Sequence, residues 1–369
     1  MNTSTTSSSV RRSSAYLADG REIFYYDETD HPDRVITDPR DLPPTAPASR
    51  VRYDQVQGEW IGVAGHRQTR TYHPPADACP LCPSTAVNLS EIPSPSYDVA
   101  VFENRFPSFA GTGEPLLGVP GDLFIEAPGV GRCEVVCFTS EHDTSLSQVS
   151  RRRMRTVIEA WADRTAALQA TPGVEQVFCF ENRGVEIGVT LAHPHGQIYG
   201  YPFVTPKTAT AIRRAAEYRS GTGHELFADI VEQETTDGSR VVAATEHWVA
   251  FVPFAARWPF EVHLYPRAGC GDLTELDDPA RDDLAALYLD VVGRLEALFD
   301  DPLPAITGVH QRPLHADPRD FALHLEVFTI RRAAGKIKYL AGSESAMGAF
   351  VNDITPETAA QRLREVGSR

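Results

Sequence analysis

His193-Pro194-His195-Gly196-Gln197 sets two imidazoles at i and i+2 and an amide two residues further on, at the head of an apolar run, Ile198-Tyr199-Gly200-Tyr201. On an extended segment side chains alternate between faces, so His193, His195 and Gln197 are expected on one side. Pro194 stiffens the backbone and Gly196 exposes it. In that setting one imidazole can act as a nucleophile while Gln197 donates hydrogen bonds beside it. The same letters also describe a surface loop carrying two solvated histidines.

Outward from this segment the chain alternates strands and helices. The spacing of Met154, Val157, Ile158, Trp161 and Leu168 predicts a helix over 150–170, between strands at 133–138 and 177–181. After the histidines come a helix over 207–234 with a break at Ser220-Gly221, strands at 245–254 and 260–265, and an amphipathic helix over 278–300. A strand at 324–330 and a final helix starting at Thr355-Pro356 complete the second half. Towards the N-terminus, Ile23-Phe24-Tyr25-Tyr26, the WIGV stretch within 51–63 and Tyr97–Phe102 read as strands. Residues 31–49 hold five prolines and read as a loop, as does the Pro/Gly-rich stretch 107–131.

The order strand, loop, helix, strand occurs twice. EVVCFTSEHDTSLSQV (134–149) lies without gaps on EVHLYPRAGCGDLTEL (261–276), sharing Glu134/Glu261, Val135/Val262 and Leu146/Leu273, and His195 falls on His324. Internal duplication accounts for both the identities and the order. The expected fold class is α+β, a mainly antiparallel sheet flanked by helices. Residues 1–50 would form a disordered tail and an arm, and 51–205 and 206–369 two copies of one unit packed as one body.

Cys79-Pro80-Leu81-Cys82 brings two thiols to one point, as a tetrahedral metal site needs. A redox pair or two buried cysteines are the other readings, although a thioredoxin-like motif opens a helix and this one sits in a Pro-rich loop. His142 and His193 are the candidates to complete a Cys2His2 set. Cys133, Cys137 and Cys179 fall in apolar strands and read as core. His66-Arg67-Gln68-Thr69-Arg70, with two arginines three apart, suits a diphosphate. Asn104, Asn182 and the Lys336/Lys338 cluster are further polar groups near loops.

A chain of 369 residues with 42% hydrophobic and 23% charged residues has the composition of a folded globular protein that needs no disulfides to hold its core. The net charge of −15 opposes nucleic-acid binding, while a small phosphorylated ligand needs only a local basic pocket. No apolar run approaches the ~18 residues of a spanning helix. The polar Ser/Thr-rich first fourteen residues lack the apolar core of a signal peptide, so a reducing cytoplasmic setting is expected. P-loop, GxSxG and HExxH motifs are absent.

With these residues in view, the chain resembles the galactose-1-phosphate uridylyltransferase family of the histidine-triad superfamily over about residues 50–369. HPHGQ (193–197), FENRG (180–184), TEHWVAFVPF (245–254), WPFEVHLYP (258–266) and KYLAGSE (338–344) carry the resemblance. It implies a duplicated histidine-triad-like unit and ping-pong transfer of UMP from UDP-glucose to galactose 1-phosphate, giving UDP-galactose and glucose 1-phosphate. His195 would be the nucleophile, with Gln197 and Thr190 hydrogen-bonding the phosphoryl oxygens. The resemblance assigns Asn104 and Asn182 to the nucleotide, Arg67, Arg70 and Lys338 to phosphates, some across a homodimer interface, and Glu344 to the hexose. It also implies a structural zinc ion on Cys79, Cys82, His142 and His193. Some members hold a second metal on a glutamate and three histidines; His310 and His324 match, Glu326 replaces the third histidine, and the glutamate has no counterpart. Thr190 stands where serine is common. Ser343 and Phe350 stand where some members place a tyrosine and a glutamine on the sugar phosphate. The alternative within the same branch is a sugar-phosphate nucleotidyltransferase of different base, such as an ADP-sugar or ATP adenylyltransferase. A zinc-stabilised nucleotide-sugar binding protein without turnover is the reading from another class.

Overall fold

Apolar and β-branched runs between turn residues form the strands, and the capped apolar stripes form the helices. The computed structural model describes residues 10–28, 34, 36–44, 49–69, 74–114, 116, 121–299 and 302–367. In chain order the first half contains β1 (Arg11–Tyr16), β2 (Glu22–Asp27), β3 (Arg50–Asp54), β4 (Glu59–Val63), β5 (Val99–Glu103), β6 (Glu126–Pro128), β7 (Arg132–Cys137), α1 (Arg151–Gln169), β8 (Gln176–Arg183) and β9 (His195–Tyr201). The second half contains α2 (Pro206–Thr222), α3 (Leu226–Asp237), β10 (Val241–Ala244), β11 (Trp248–Phe251), β12 (Phe260–Pro266), α4 (Asp278–Glu296), β13 (Ala305–His310) and β14 (His324–Thr329). The short β15 (Arg331–Ala333) and β16 (Lys336–Ile337) and the helices α5 (Gly342–Met347) and α6 (Pro356–Gly367) follow.

Eleven strands make one antiparallel sheet in the order β1-β2-β5-β7-β9-β8-β13-β14-β12-β11-β10. Outward from the β8–β13 junction the order is β8-β9-β7-β5-β2 on one side and β13-β14-β12-β11-β10 on the other. Each half therefore repeats the other about a pseudo-two-fold axis, and α1 and α4 occupy equivalent places in sequence and structure. Ser150 caps α1 by accepting from the Arg153 amide, and Asp277 caps α4 by accepting from the Ala280 amide. The two helices cover one face of the sheet. Met154, Val157, Ile158 and Trp161 of α1 share a single buried core with Leu284, Leu287, Val291 and Leu295 of α4. At about 1.5–3 kcal/mol for each fully buried large apolar side chain, this helix–sheet layer is a major stabilising element of the fold. The other face is built locally: the β3-β4-β6 sheet packs near β9, and α3 packs on β11 and β12 through Phe227 and Val231.

Several elements differ from the sequence reading. Arg11–Tyr16 belongs to no tail: it is an edge strand, paired residue by residue with Glu22–Asp27 and alternately half-buried and exposed. Residues 1–9 lie outside the described residues. The helix expected over 207–234 is two helices, and its break falls at Gly223, whose φ of 80° gives α2 a left-handed C-cap, rather than at Ser220-Gly221. WIGV lies in β4 as expected, and it pairs with a second strand, β3, that the sequence reading did not include. β13, at the centre of the sheet, was not expected at all. Pro302 and Pro304 precede it and Gly308 interrupts it, so its six residues carry little strand signature.

Candidate active site

β9 begins at His195, one residue after Pro194, and the two histidines of the segment have different partners. His193 is buried among Cys79, Cys82 and His142, whose ligand atoms all lie within 4.8 Å of one another. The His193 Nε2–H donates to the Thr139 carbonyl at 2.8 Å, which leaves its Nδ1 facing Cys82 Sγ at 3.5 Å. His142 Nδ1 faces the same sulfur at 3.3 Å. Burial lowers His193 to about 4, so it stays a neutral donor. Burial also pushes the Cys82 thiol up to about 12, with Cys79 beside it adding to the rise. Two thiols and two imidazoles converging at one point are a donor set for a thiophilic cation, which would draw off the thiol protons.

His195 faces a different space. Its Nδ1–H donates to the His193 carbonyl oxygen at 2.8 Å, which fixes the tautomer and turns the Nε2 lone pair away from the backbone. Burial holds its basicity below the usual histidine range, against the opposing effects of the His193 carbonyl and the Glu181 carboxylate. Gly196 is required between His195 and Gln197: a Cβ there would stand 2.7 Å from both Phe138 Cζ and the Phe180 carbonyl.

His195 lines a cavity of about 510 Å³, within the usual ~300–1,000 Å³ of small-ligand sites. Thr190, Gln197, Asn104, Asn182 and Arg67 share its wall, as the sequence suggested. Arg67 is braced by Ser108 Oγ and by the Tyr199 hydroxyl at 3.2 Å, and that hydroxyl donates to Gln197 Oε1 at 3.1 Å. Sequence reasoning missed Arg40, Glu91 and Arg105 on the same wall, together with Phe102, Phe180 and Tyr199. Arg105 adjoins Asn104 and could have been found from it; Arg40 sits in the Pro-rich loop, where nothing local marks it. Three arginines against one glutamate make this pocket locally positive in an acidic chain.

Arg70 lies outside the described residues. Lys338 and Glu344 do not line the cavity; Lys338 Nζ pairs with Glu344 Oε1 at 3.2 Å and with the Val351 carbonyl. Phe350 packs edge-on against Trp258, with ring centroids 5.7 Å apart. The second cluster forms as read: His310, His324 and Glu326 bring their ligand atoms within 4.8 Å, and Glu261 and His263 adjoin them. His324 repeats the backbone device of His195, donating from Nδ1 to the Ala322 carbonyl at 2.9 Å.

Residues 27–205 match the family model described as the N-terminal domain of galactose-1-phosphate uridyl transferase, and residues 211–368 match its C-terminal domain. The chain belongs to the galactose-1-phosphate uridylyltransferase family. A galactose-1-phosphate uridylyltransferase of Streptomyces lividans is 44% identical, over 97% of this chain and 98% of that protein. One of Thermotoga maritima is 34% identical, over 85% of this chain and 98% of that protein. A solved uridylyltransferase structure superposes with a TM-score of 0.75 at 32% identity, covering 86% of this chain and 98% of that one. Family membership thus spans both halves of the sheet, the His195-bearing strand β9 and its counterpart β14 alike. Among the described residues no helix is long and apolar enough to cross a membrane.

Proposed function

We infer that this chain is a UDP-glucose–hexose-1-phosphate uridylyltransferase, moving UMP from UDP-glucose to galactose 1-phosphate through a uridylyl-histidine. The observation that carries this reading is the 2.8 Å hydrogen bond from His195 Nδ1 to the His193 carbonyl beside a locally positive cavity, in a chain of this family. His195 Nε2 attacks the α-phosphorus of UDP-glucose. The α–β phosphoanhydride bond breaks, and glucose 1-phosphate leaves with its electron pair. The phosphorylated imidazole keeps its Nδ1 proton, and the His193 carbonyl stabilises the resulting positive charge. A phosphate oxygen of galactose 1-phosphate then attacks the same phosphorus, and the imidazole is released neutral.

Gln197, Thr190 and Arg67 are assigned to the phosphoryl oxygens, where charge accumulates in each transition state. Asn104 and Asn182 are assigned to the nucleotide. Cys79, Cys82, His142 and His193 would hold Zn2+, which supplies no chemistry to the transfer and anchors the backbone carbonyl that orients His195. Residues 51–205 and 206–369 act as one catalytic body. Arg70 is assigned to a phosphate, and Lys338 and Glu344 to the cavity of a second copy in a homodimer. The exposed Tyr339, Leu340, Met347 and Val351 beside Lys338 support an interface there. A reducing cytoplasm suits six cysteines that form no disulfide. The test is single-turnover release of glucose 1-phosphate from UDP-glucose, compared with ADP-glucose. Release from ADP-glucose alone would transfer the reading to the adenylyl alternative, and release from neither would reject both.

A further inference from the structure

The cluster on β13 and β14 has the donors of a metal site and already contains a cation. Lys207, the second residue of α2, places its ammonium on Glu326 Oε2. His310 Nε2 stands 3.3 Å from that same oxygen, and His324 Nε2 stands 3.7 Å from Oε1. Glu326 is the one carboxylate of the His310–His324–Glu326 set. A divalent ion bound there would share it with the ammonium of Lys207, whose side chain is half-exposed while Glu326 is buried, and like charges at contact distance repel even where solvent screens them in part.

The position of Lys207 is informative in itself. The first turn of a helix carries the positive end of its dipole and favours acidic side chains. α2 has no acidic residue in that turn and has Lys207 instead. The unfavourable placement is offset by Glu326, from a strand 119 residues away in sequence. Glu261, the neighbouring carboxylate, has its own partners: it accepts from the Arg257 and Trp258 amides and from His263 Nε2 at 2.8 Å.

We propose that Lys207 is the resident cation of the second cluster: the native chain carries no metal on His310, His324 and Glu326, and removing the Lys207 ammonium turns these three into a divalent-metal site. The inference rests on this donor set and its ion pair, independently of the uridylyl transfer. The cluster still touches the active site mechanically. His324 stacks on His310 with ring centroids 4.8 Å apart, His310 lies tilted against Phe178 at 5.2 Å, and Phe178 stacks on Phe180 at 5.3 Å, with Phe180 in the cavity wall.

The test counts metal on the full-length protein. Wild type, Lys207→Arg, Lys207→Ala and Lys207→Met are titrated with Zn2+, desalted, and analysed by inductively coupled plasma mass spectrometry. Lys207→Arg keeps the cation and should retain the wild-type count. Lys207→Ala and Lys207→Met should each gain one equivalent, with affinity at the second position ~10-fold or more above wild type, the scale on which neighbours of metal ligands act. Adding His324→Asn to Lys207→Met should remove the gained ion. Lys207→Met preserves the length and packing of the stem, so it gives the answer should the alanine variant fold poorly. The proposal is overturned if wild type holds an ion that His324→Asn removes, or if neither neutral substitution raises the count.

Discussion

His195 Nδ1 lies 2.8 Å from the carbonyl oxygen of His193, so the residue proposed to carry the uridylyl group is oriented by the backbone of the residue proposed to hold zinc. Two neighbouring histidines thereby do separate work. Neutral His195 is the attacking form, and burial lowers its basicity below the ordinary value of 6.5. As pH falls, kcat/KM for UDP-glucose should therefore hold through about 6.5 and decline only below it. Glu181 acts in the opposite direction, raising the basicity of His195. Glu181→Gln should move the acid limb to lower pH; a shift to higher pH would contradict the assignment.

Removing the metal should cost stability before it costs chemistry. Structural zinc sites contribute on the order of 10 kcal/mol of apparent binding energy, coupled to folding. Cys82→Ser or His142→Ala should lose one metal equivalent and melt well below wild type. A variant that binds no zinc yet melts like wild type would show the cluster to be only buried thiols and imidazoles.

Gly196→Ala should be costly although it adds a single methyl group. The new Cβ meets Phe138 and the Phe180 carbonyl at 2.7 Å, and overpacking of this kind costs about 1–3 kcal/mol. Since Gly196 lies between His195 and Gln197, kcat should fall together with unfolding stability in urea. An unchanged kcat would mean that the strand tolerates the displacement.

Arg67 contributes geometry as well as charge, braced by Ser108 and Tyr199. Hydrogen bonds to charged groups are worth about 1.5–3 kcal/mol. Arg67→Ala should lower kcat/KM for UDP-glucose by roughly 10- to 100-fold, and Arg67→Lys should recover only part of it, because an ammonium lacks the planar fork that lets one guanidinium nitrogen brace on Ser108 and Tyr199 while another faces the cavity. Full recovery with lysine would leave charge as the whole contribution.

Much of this was legible in the sequence because it is local. The HPHGQ segment, the CxxC loop and the helical stripes of α1 and α4 each signal within a few residues, and the offset copies at 134–149 and 261–276 foreshadow the pseudo-two-fold sheet. What was hidden is long-range or weakly patterned. β13 is too short and too interrupted to read as a strand, yet it joins the halves. Arg40 reaches the cavity wall from a loop and is held by Asp38 and Glu91, a pairing no spacing rule reveals. Lys207 looks like an ordinary helix-surface lysine until Glu326 folds beneath it.

The most direct test of the central claim uses UDP-glucose without an acceptor. Wild-type protein, mixed with UDP-glucose and analysed by intact-mass and peptide mass spectrometry under alkaline conditions that preserve phosphohistidine, should carry one uridylyl group on the peptide containing His195. It should release glucose 1-phosphate in equal amount, and galactose 1-phosphate should discharge the adduct as UDP-galactose. His195→Gln should remain unlabelled. Turnover without an adduct on wild type, or an adduct that persists in His195→Gln, would contradict the account.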